Sequence, residues 1–224
     1  SKTAMVESEK LYNPTEAIDL VKKAATSKFD ETMEVHFNLG IDPRHADQQL
    51  RGTLVLPNGT GKETRIVVIT KGAKVKEAQD AGADFVGEDD IIEKISKGWF
   101  EFDILIASPD MMSKVGRLGR QLGAKGLMPN PKSGTVTPNI GKAVTEFKSG
   151  KMEYRNDKYG NLHLRFGKAS FDTKALRENY EVIYETLMKI KPSKAKGIYM
   201  KNVSLCSTMG PGVRVEPLKI KWKD

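Results

Sequence analysis

Apolar and polar positions recur in two rhythms along this chain, and the switches between them mark its organisation. Near the start, Ile18, Val21 and Ala25 fall at helical spacing. They follow Asn13, which can cap a helix, and Pro14, whose fixed φ suits a first turn. The segment Thr32 to Ile41 alternates with period two and predicts a strand, as does Gly52 to Leu56. Pro57-Asn58-Gly59 marks a turn before a further strand centred on Val67 and Val68.

The middle of the chain then alternates strand with helix. Ile66 to Thr70 is a continuous β-branched run, as expected of a strand covered on both faces. A helix to Ala81 is followed by a short strand within Gly82 to Gly87. Ile91, Ile92 and Ile95 predict a second helix, Phe102 to Ala107 a third strand, and Asp110 to Leu122 a third helix. This order predicts a small parallel, doubly wound sheet. After about residue 150 the pattern reverts to strands, Met152 to Asn156 and Leu162 to Phe166. A long helix from Thr173 to Ile190 carries Leu176, Tyr180, Ile183 and Leu187 on one face, and a final strand runs from Gly197 to Ser207. The last part resembles the first. The expected fold is therefore α/β: an α+β domain built from both chain ends, residues 1–66 and 159–224, with an inserted Rossmann-like three-layer α/β domain, residues 67–158.

Charge adds a class of partner. The 224 residues carry 37 basic and 29 acidic side chains, a net of +8 with a pI near 9.4. Such an excess favours polyanions, because Lys and Arg displace counterions from phosphate. Between 67 and 158 there are 15 basic and 13 acidic residues, net +2, whereas the remainder holds 22 and 16, net +6. The terminal-segment domain is thus the better candidate for holding nucleic acid. Cys206 is the sole cysteine, which excludes an intramolecular disulfide and favours a reducing compartment. A lone thiol and three scattered histidines, His36, His45 and His163, argue against a structural zinc site, and no cofactor is expected. No apolar run reaches membrane-spanning length and no charged-then-apolar leader is visible, so a cytosolic place is expected.

Several stretches carry candidate chemistry. Lys189, Lys191, Lys194, Lys196 and Lys201 share a stretch without an acid, which is either phosphate-facing or a solvated turn. Ser207-Thr208-Met209-Gly210-Pro211-Gly212 offers hydroxyls, a bare backbone and a flat thioether to sugar and base edges, although an ordinary Gly-Pro turn reads the same way. In Lys28 to His36, Phe29 can stack and Glu34 can accept from a ribose hydroxyl or base amine; the competing roles are core for Phe29 and solvated strand for Glu34. In Gly167-Lys168-Ala169-Ser170-Phe171, Lys168 can pair with phosphate and Phe171 reads as core. From Gly116 to Lys132 the cations Arg117, Arg120, Lys125 and Lys132, with Lys114 just before, come without an acid. The glycines there fit neither GxGxxG nor GxxxxGK[ST], so this reads as a basic loop and helix end.

Catalytic signals are sparse. GxSxG, HExxH and CxxC are missing from the sequence, and Glu88-Asp89-Asp90 opens a predicted helix, where acids favour the dipole. The alternative is a small-molecule or nucleotide-binding enzyme using the α/β unit. It requires a phosphate-binding glycine motif after Ile66 to Thr70, where Lys71-Gly72-Ala73-Lys74 is too short.

Four blocks carry a resemblance: Lys28-Phe29-Asp30-Glu31-Thr32, Gly40-Ile41-Asp42-Pro43-Arg44, Gly116-Arg117-Leu118-Gly119 through Pro131-Lys132, and Ser207-Thr208-Met209-Gly210-Pro211. With them the chain, from about Tyr12 to Val215, resembles the bacterial-type L-one family of large-subunit ribosomal proteins. The resemblance implies a split domain I, an inserted Rossmann-like domain II and a hinge. It also implies binding to large-subunit ribosomal RNA at the mobile stalk beside the tRNA exit site, motion with departing deacylated tRNA, and repression of the protein's own operon mRNA. By position, the RNA-facing residues it implies are Lys28, Phe29, Glu34, His36, Thr208, Met209 and Gly210, with Ser207 in the same block and Lys168 and Ser170 beside them. Lys114, Arg117, Arg120, Lys125 and Lys132 are the implied secondary contacts. Asn38 stands where some relatives carry a basic residue. A monomer is expected when the protein is free.

Overall fold

The computed structural model describes residues 5–7 and 9–218, and residues 219–224 of the charged tail lie outside the described part. In chain order the elements are α1 (Pro14–Ala24), β1 (Thr32–Leu39), β2 (Arg51–Val55), β3 (Ile66–Ile69), α2 (Ala73–Asp80), β4 (Phe85–Gly87), α3 (Asp89–Ser96) and β5 (Ile104–Ala107). Then come α4 (Met112–Val115), α5 (Gly119–Ala124), α6 (Ile140–Lys148), β6 (Lys151–Arg155), β7 (Asn161–Lys168), α7 (Thr173–Lys189), β8 (Met200–Ser207) and β9 (Val213–Val215). They form two compact units, one of residues 1–61 with 152–224 and one of residues 62–151. These junctions fall five and seven residues before the expected 66/67 and 158/159. Ile66 already opens the central strand of the inserted sheet, and β6 pairs with β2 rather than with that sheet.

In the first unit a four-stranded sheet runs in the order β7-β1-β8-β9, every neighbour antiparallel. The period-two pattern of β1 sends Met33, Val35, Phe37 and Leu39 inward, at most 1% exposed. Leu162, Leu164 and Phe166 of β7, and Val203 and Leu205 of β8, share that face. Helix α1 covers it with Ala17, Ile18 and Val21, and α7 with Leu176, Tyr180, Ile183 and Leu187. The Asn13 side chain accepts the N–H of Thr15 and Pro14 occupies the first turn, so α1 starts where its residues dictate. Ala25 falls just past its end, and Ala24 is the buried residue instead. Asn179 is fully buried within α7 and is satisfied there: its amide donates to the carbonyls of Gly59 and Phe166, and its oxygen accepts the N–H of Asn58. The strand expected to be last is not: β9 adds beside β8, with Val203 opposite Val215. Its three residues were too short to register as alternation.

The second unit is a parallel three-stranded sheet of order β4-β3-β5. All four residues of β3 are fully buried, and the two faces feed separate cores. Val67, Ile69 and Leu105 pack with Ile91 and Ile95 of α3 and Val115 of α4, while Ile66, Val68 and Ile106 pack with Ala78 of α2 and Val144 and Phe147 of α6. This is the doubly wound three-layer arrangement expected of the run. Helix α6 was not anticipated, although Ile140, Ala143, Val144 and Phe147 keep helical spacing and are buried. The helix expected over Asp110 to Leu122 is broken into 3-10 turns and the short α4 and α5, with Gly116 and Gly119 at the joints, since glycine lowers helix propensity.

Candidate nucleic-acid interface

The antiparallel order of the four-stranded sheet decides where chemistry gathers. It brings the start of β1 beside the ends of β7 and β8, so that Thr32 pairs with Lys168 and Met33 with Ser207. Three segments distant in sequence, 27–34, 168–171 and 207–210, therefore meet at one end of one sheet.

Glu31 ties them together. It is 1% exposed, and its carboxylate accepts the N–H of Ser27 at 3.0 Å, the hydroxyl of Ser207 at 2.8 Å and the N–H of Met209 at 2.9 Å. Its backbone carbonyl accepts the N–H of Ala169. Burial opposes ionisation and is the strongest single influence. Those donors together outweigh it and hold the carboxyl down to about 2, so the side chain is an anion at neutral pH. Sequence reading passed over Glu31, although it lies in the first of the four blocks. Only its burial among donors distinguishes it from an ordinary solvated acid.

Around this anchor the exposed groups are held from behind. The N–H of Thr32 donates to the Thr208 hydroxyl at 2.9 Å. The Lys168 ammonium donates to the Thr32 hydroxyl at 2.9 Å and, more distantly, to the Asp30 carbonyl. Ser170 donates its N–H and its hydroxyl to the two oxygens of Asp30. Lys28 is exposed, Phe29 is 54% exposed and Met209 is 63% exposed, two large apolar side chains standing in solvent on this rim. Phe29 is thus not the core residue that its type suggests. Phe171, by contrast, packs against the core. Ser207 is 2% exposed with its hydroxyl on Glu31, so it shapes the loop from inside and presents no side chain to a ligand.

Gly210 is required by packing. A β-carbon there would stand 2.4 Å from Ser207 Oγ, which cannot swing aside without leaving Glu31. Gly210→Ala is therefore expected to cost about 1–3 kcal/mol of stability and to distort the rim. Thermal unfolding together with RNA affinity checks it, and an unchanged variant on both counts would mean that the loop has slack.

Glu34 and His36 follow along β1 on the sheet face opposite the helices, with Asn38, Asn161, His163, Arg165 and Cys206. His36 contacts one ring and one thiol, 2.9 Å from His163 Nδ1 and 3.2 Å from Cys206 Sγ. Burial, and then His163, lower its pKa from the usual histidine value, while Glu34 pulls the other way. Asn38 donates to Asn161 at 2.6 Å. The lysine stretch lines a separate concavity with Gly40, Ile41 and Asp42, formed in part by Lys194, Lys196 and Lys201, and Lys194 is paired with Asp47 at 2.6 Å.

The cations of the inserted unit differ among themselves. Lys114 is occupied by Asp89 at 2.7 Å, and Lys125 sits 4.8 Å over the Phe100 ring. Arg117, Arg120 and Lys132 are exposed. Among the described residues no helix is long and apolar enough to cross a membrane.

Residues 21–211 match the sequence pattern described as the Ribosomal protein L1p/L10e family. The chain belongs to that family. The matched span contains all three segments that Glu31 joins, and the whole inserted unit as well. As a member, the protein is a structural ribosomal protein that binds ribosomal RNA in the large subunit, and its α/β class is that of the family.

Proposed function

We propose that the rim formed by Lys28, Phe29, Thr208, Met209 and Gly210, with Lys168 and Ser170 beside it and Glu34 and His36 on the adjoining sheet face, holds large-subunit ribosomal RNA at the mobile stalk near the tRNA exit site. In this reading the protein assists release of deacylated tRNA, and it represses translation of its own operon by binding a similar RNA on that messenger. It works in the cytoplasm on the ribosome, is monomeric when free, and performs no catalysis. Membership of a structural ribosomal family speaks against the enzyme alternative.

The observation that carries the reading is the convergence of three segments on the buried Glu31 carboxylate. It gives a preorganised surface: exposed Met209 and Phe29 for sugars and base faces, backbone at Gly210 for close approach, and Lys28 and Lys168 for phosphate. Preorganisation matters because ordering a loop on binding subtracts from affinity.

The deciding experiment titrates the protein against a stalk RNA fragment across salt, beside an unrelated hairpin of equal length. A preference that survives rising salt supports contacts beyond phosphate charge; equal binding that vanishes together with salt overturns the composite site. Competition by the operon leader for the same site tests the repressor role, which fails if the leader does not compete. The inserted unit is assigned secondary contacts through Lys114, Arg117, Arg120, Lys125 and Lys132. Replacing Arg117 and Arg120 together with alanine is expected to lower the slope of log affinity against log salt by about one to two, with preference between RNAs kept. A lost preference would move specificity into that unit.

A further inference from the structure

Histidines and a cysteine that are scattered in sequence become neighbours on the polar face of the four-stranded sheet. Glu34 of β1 stands opposite Cys206 of β8, and His36, two residues on, shares their face. His36 Nε2 lies 3.2 Å from Cys206 Sγ and 3.9 Å from Glu34 Oε2, and the donor atoms of all three lie within 4.8 Å of one another. A tetrahedral zinc-type ion, bonded at about 2.3 Å to sulfur and about 2.0 Å to nitrogen or oxygen, needs donors roughly 3.3–3.6 Å apart. His36 Nε2 and Cys206 Sγ already stand near that spacing, and Glu34 Oε2, 3.9 Å from Nε2 on a partly exposed side chain, closes on an ion by a rotamer adjustment.

The other side of the His36 ring supplies a second, independent observation. Its Nδ1 is 2.9 Å from Nδ1 of His163, which faces it in the β1–β7 register. His163 Nε2 in turn lies 3.7 Å from Asp157 Oδ2. Only one proton fits between the two Nδ1 atoms. When that proton sits on His36 Nδ1, His163 Nδ1 accepts it, and His163 Nε2 keeps its own hydrogen 3.7 Å from the Asp157 carboxylate, whose charge favours that arrangement. The Nε2 of His36 is then a bare lone pair on the side where Cys206 and Glu34 lie. A metal-binding histidine is typically oriented in this way, its second nitrogen bonded to a fixed partner.

We propose that Glu34, His36 and Cys206 form a binding site for a divalent ion of the zinc type, with His163 and Asp157 as positioning residues. The mixed sulfur, nitrogen and oxygen set selects such an ion over magnesium or calcium, which take oxygen alone. On binding, the Cys206 thiol loses its proton to solvent and the thiolate bonds the ion; a water completes the fourth position. Strand pairing, not sequence spacing, brings these residues together.

The site shares Glu34 and His36 with the proposed RNA-facing set, so the test is read on metal alone with RNA-free, fully reduced, full-length protein. Titration with cobalt(II) is expected to give a thiolate-to-cobalt charge-transfer band and tetrahedral visible bands that saturate near one equivalent and are displaced by zinc(II). Cys206→Ser should abolish the charge-transfer band, and His36→Gln should weaken binding at least tenfold. His163→Gln, which leaves all three donors in place, should weaken it by roughly 10–100-fold. Circular dichroism of each variant verifies the fold. Absence of the charge-transfer band in the unaltered protein at saturating cobalt overturns the proposal. So does an undiminished band in His36→Gln, which would mark adventitious binding to a bare thiol. In either case the His36–Cys206 contact is a simple thiol hydrogen bond, and the RNA reading stands unaffected.

Discussion

Thr208→Val and Met209→Ala are each expected to weaken binding to the stalk RNA fragment by about tenfold to a hundredfold, with thermal stability almost unchanged. Both side chains are exposed, so neither variant opens a cavity. Valine keeps the shape of threonine but removes the hydroxyl that accepts the Thr32 N–H and that the proposed interface turns to the RNA. A hydrogen-bonding group lost where its partner stays desolvated costs about 1–3 kcal/mol, and each 1.4 kcal/mol is about tenfold in affinity. Alanine at 209 removes a thioether whose burial against RNA contributes on the order of 1.5–3 kcal/mol. Fluorescence anisotropy on labelled RNA, paired with thermal unfolding, checks both. Wild-type affinity in both variants would remove the 207–210 loop from the interface.

The second large effect concerns Glu31. Glu31→Gln should destabilise the domain by about 2–3 kcal/mol and weaken RNA binding along with it. The carboxylate accepts from Ser27, Ser207 and Met209, and a neutral amide turns one acceptor into a donor facing N–H and O–H groups. The same group predicts a pH dependence. Its carboxyl is held at about 2 in the folded chain against an ordinary value of 4.5. The stabilisation, up to about 3 kcal/mol, is complete above the ordinary value and is lost as pH falls from about 4.5 towards 2. Urea unfolding at pH 7, 4 and 3 should show the native protein losing stability over that range, with the Gln variant flatter. Parallel losses in both proteins would assign the acid sensitivity to other carboxylates.

These two predictions separate residues proposed to meet RNA from one that holds them in place, and the sequence distinguishes the two kinds unevenly. Thr208, Met209 and Gly210 stand in a compact block of unusual composition, which makes them visible as a unit. Glu31 looks like any of the 29 acidic residues until the fold buries it. Ser207 shows the reverse: its place in the block suggests contact, whereas its hydroxyl is turned inward. Lys114 also reads as a free cation in sequence, because its partner Asp89 is 25 residues away and comes near only through tertiary packing.

What the sequence alone determined is what local rules govern. Period-two alternation in β1, the Asn13-Pro14 start of α1, the apolar stripe of α7 and the fully apolar β3 each follow from one short segment and its neighbours. The tertiary structure decided everything that depends on which strands pair. The order β7-β1-β8 places residues 32, 168 and 207 at one end of a sheet, and it sets His36 between His163 and Cys206 on the open face. The physical reason is that burial, hydrogen-bond partners and charge environment are properties of a neighbourhood. In an antiparallel sheet that neighbourhood is assembled from segments more than a hundred residues apart.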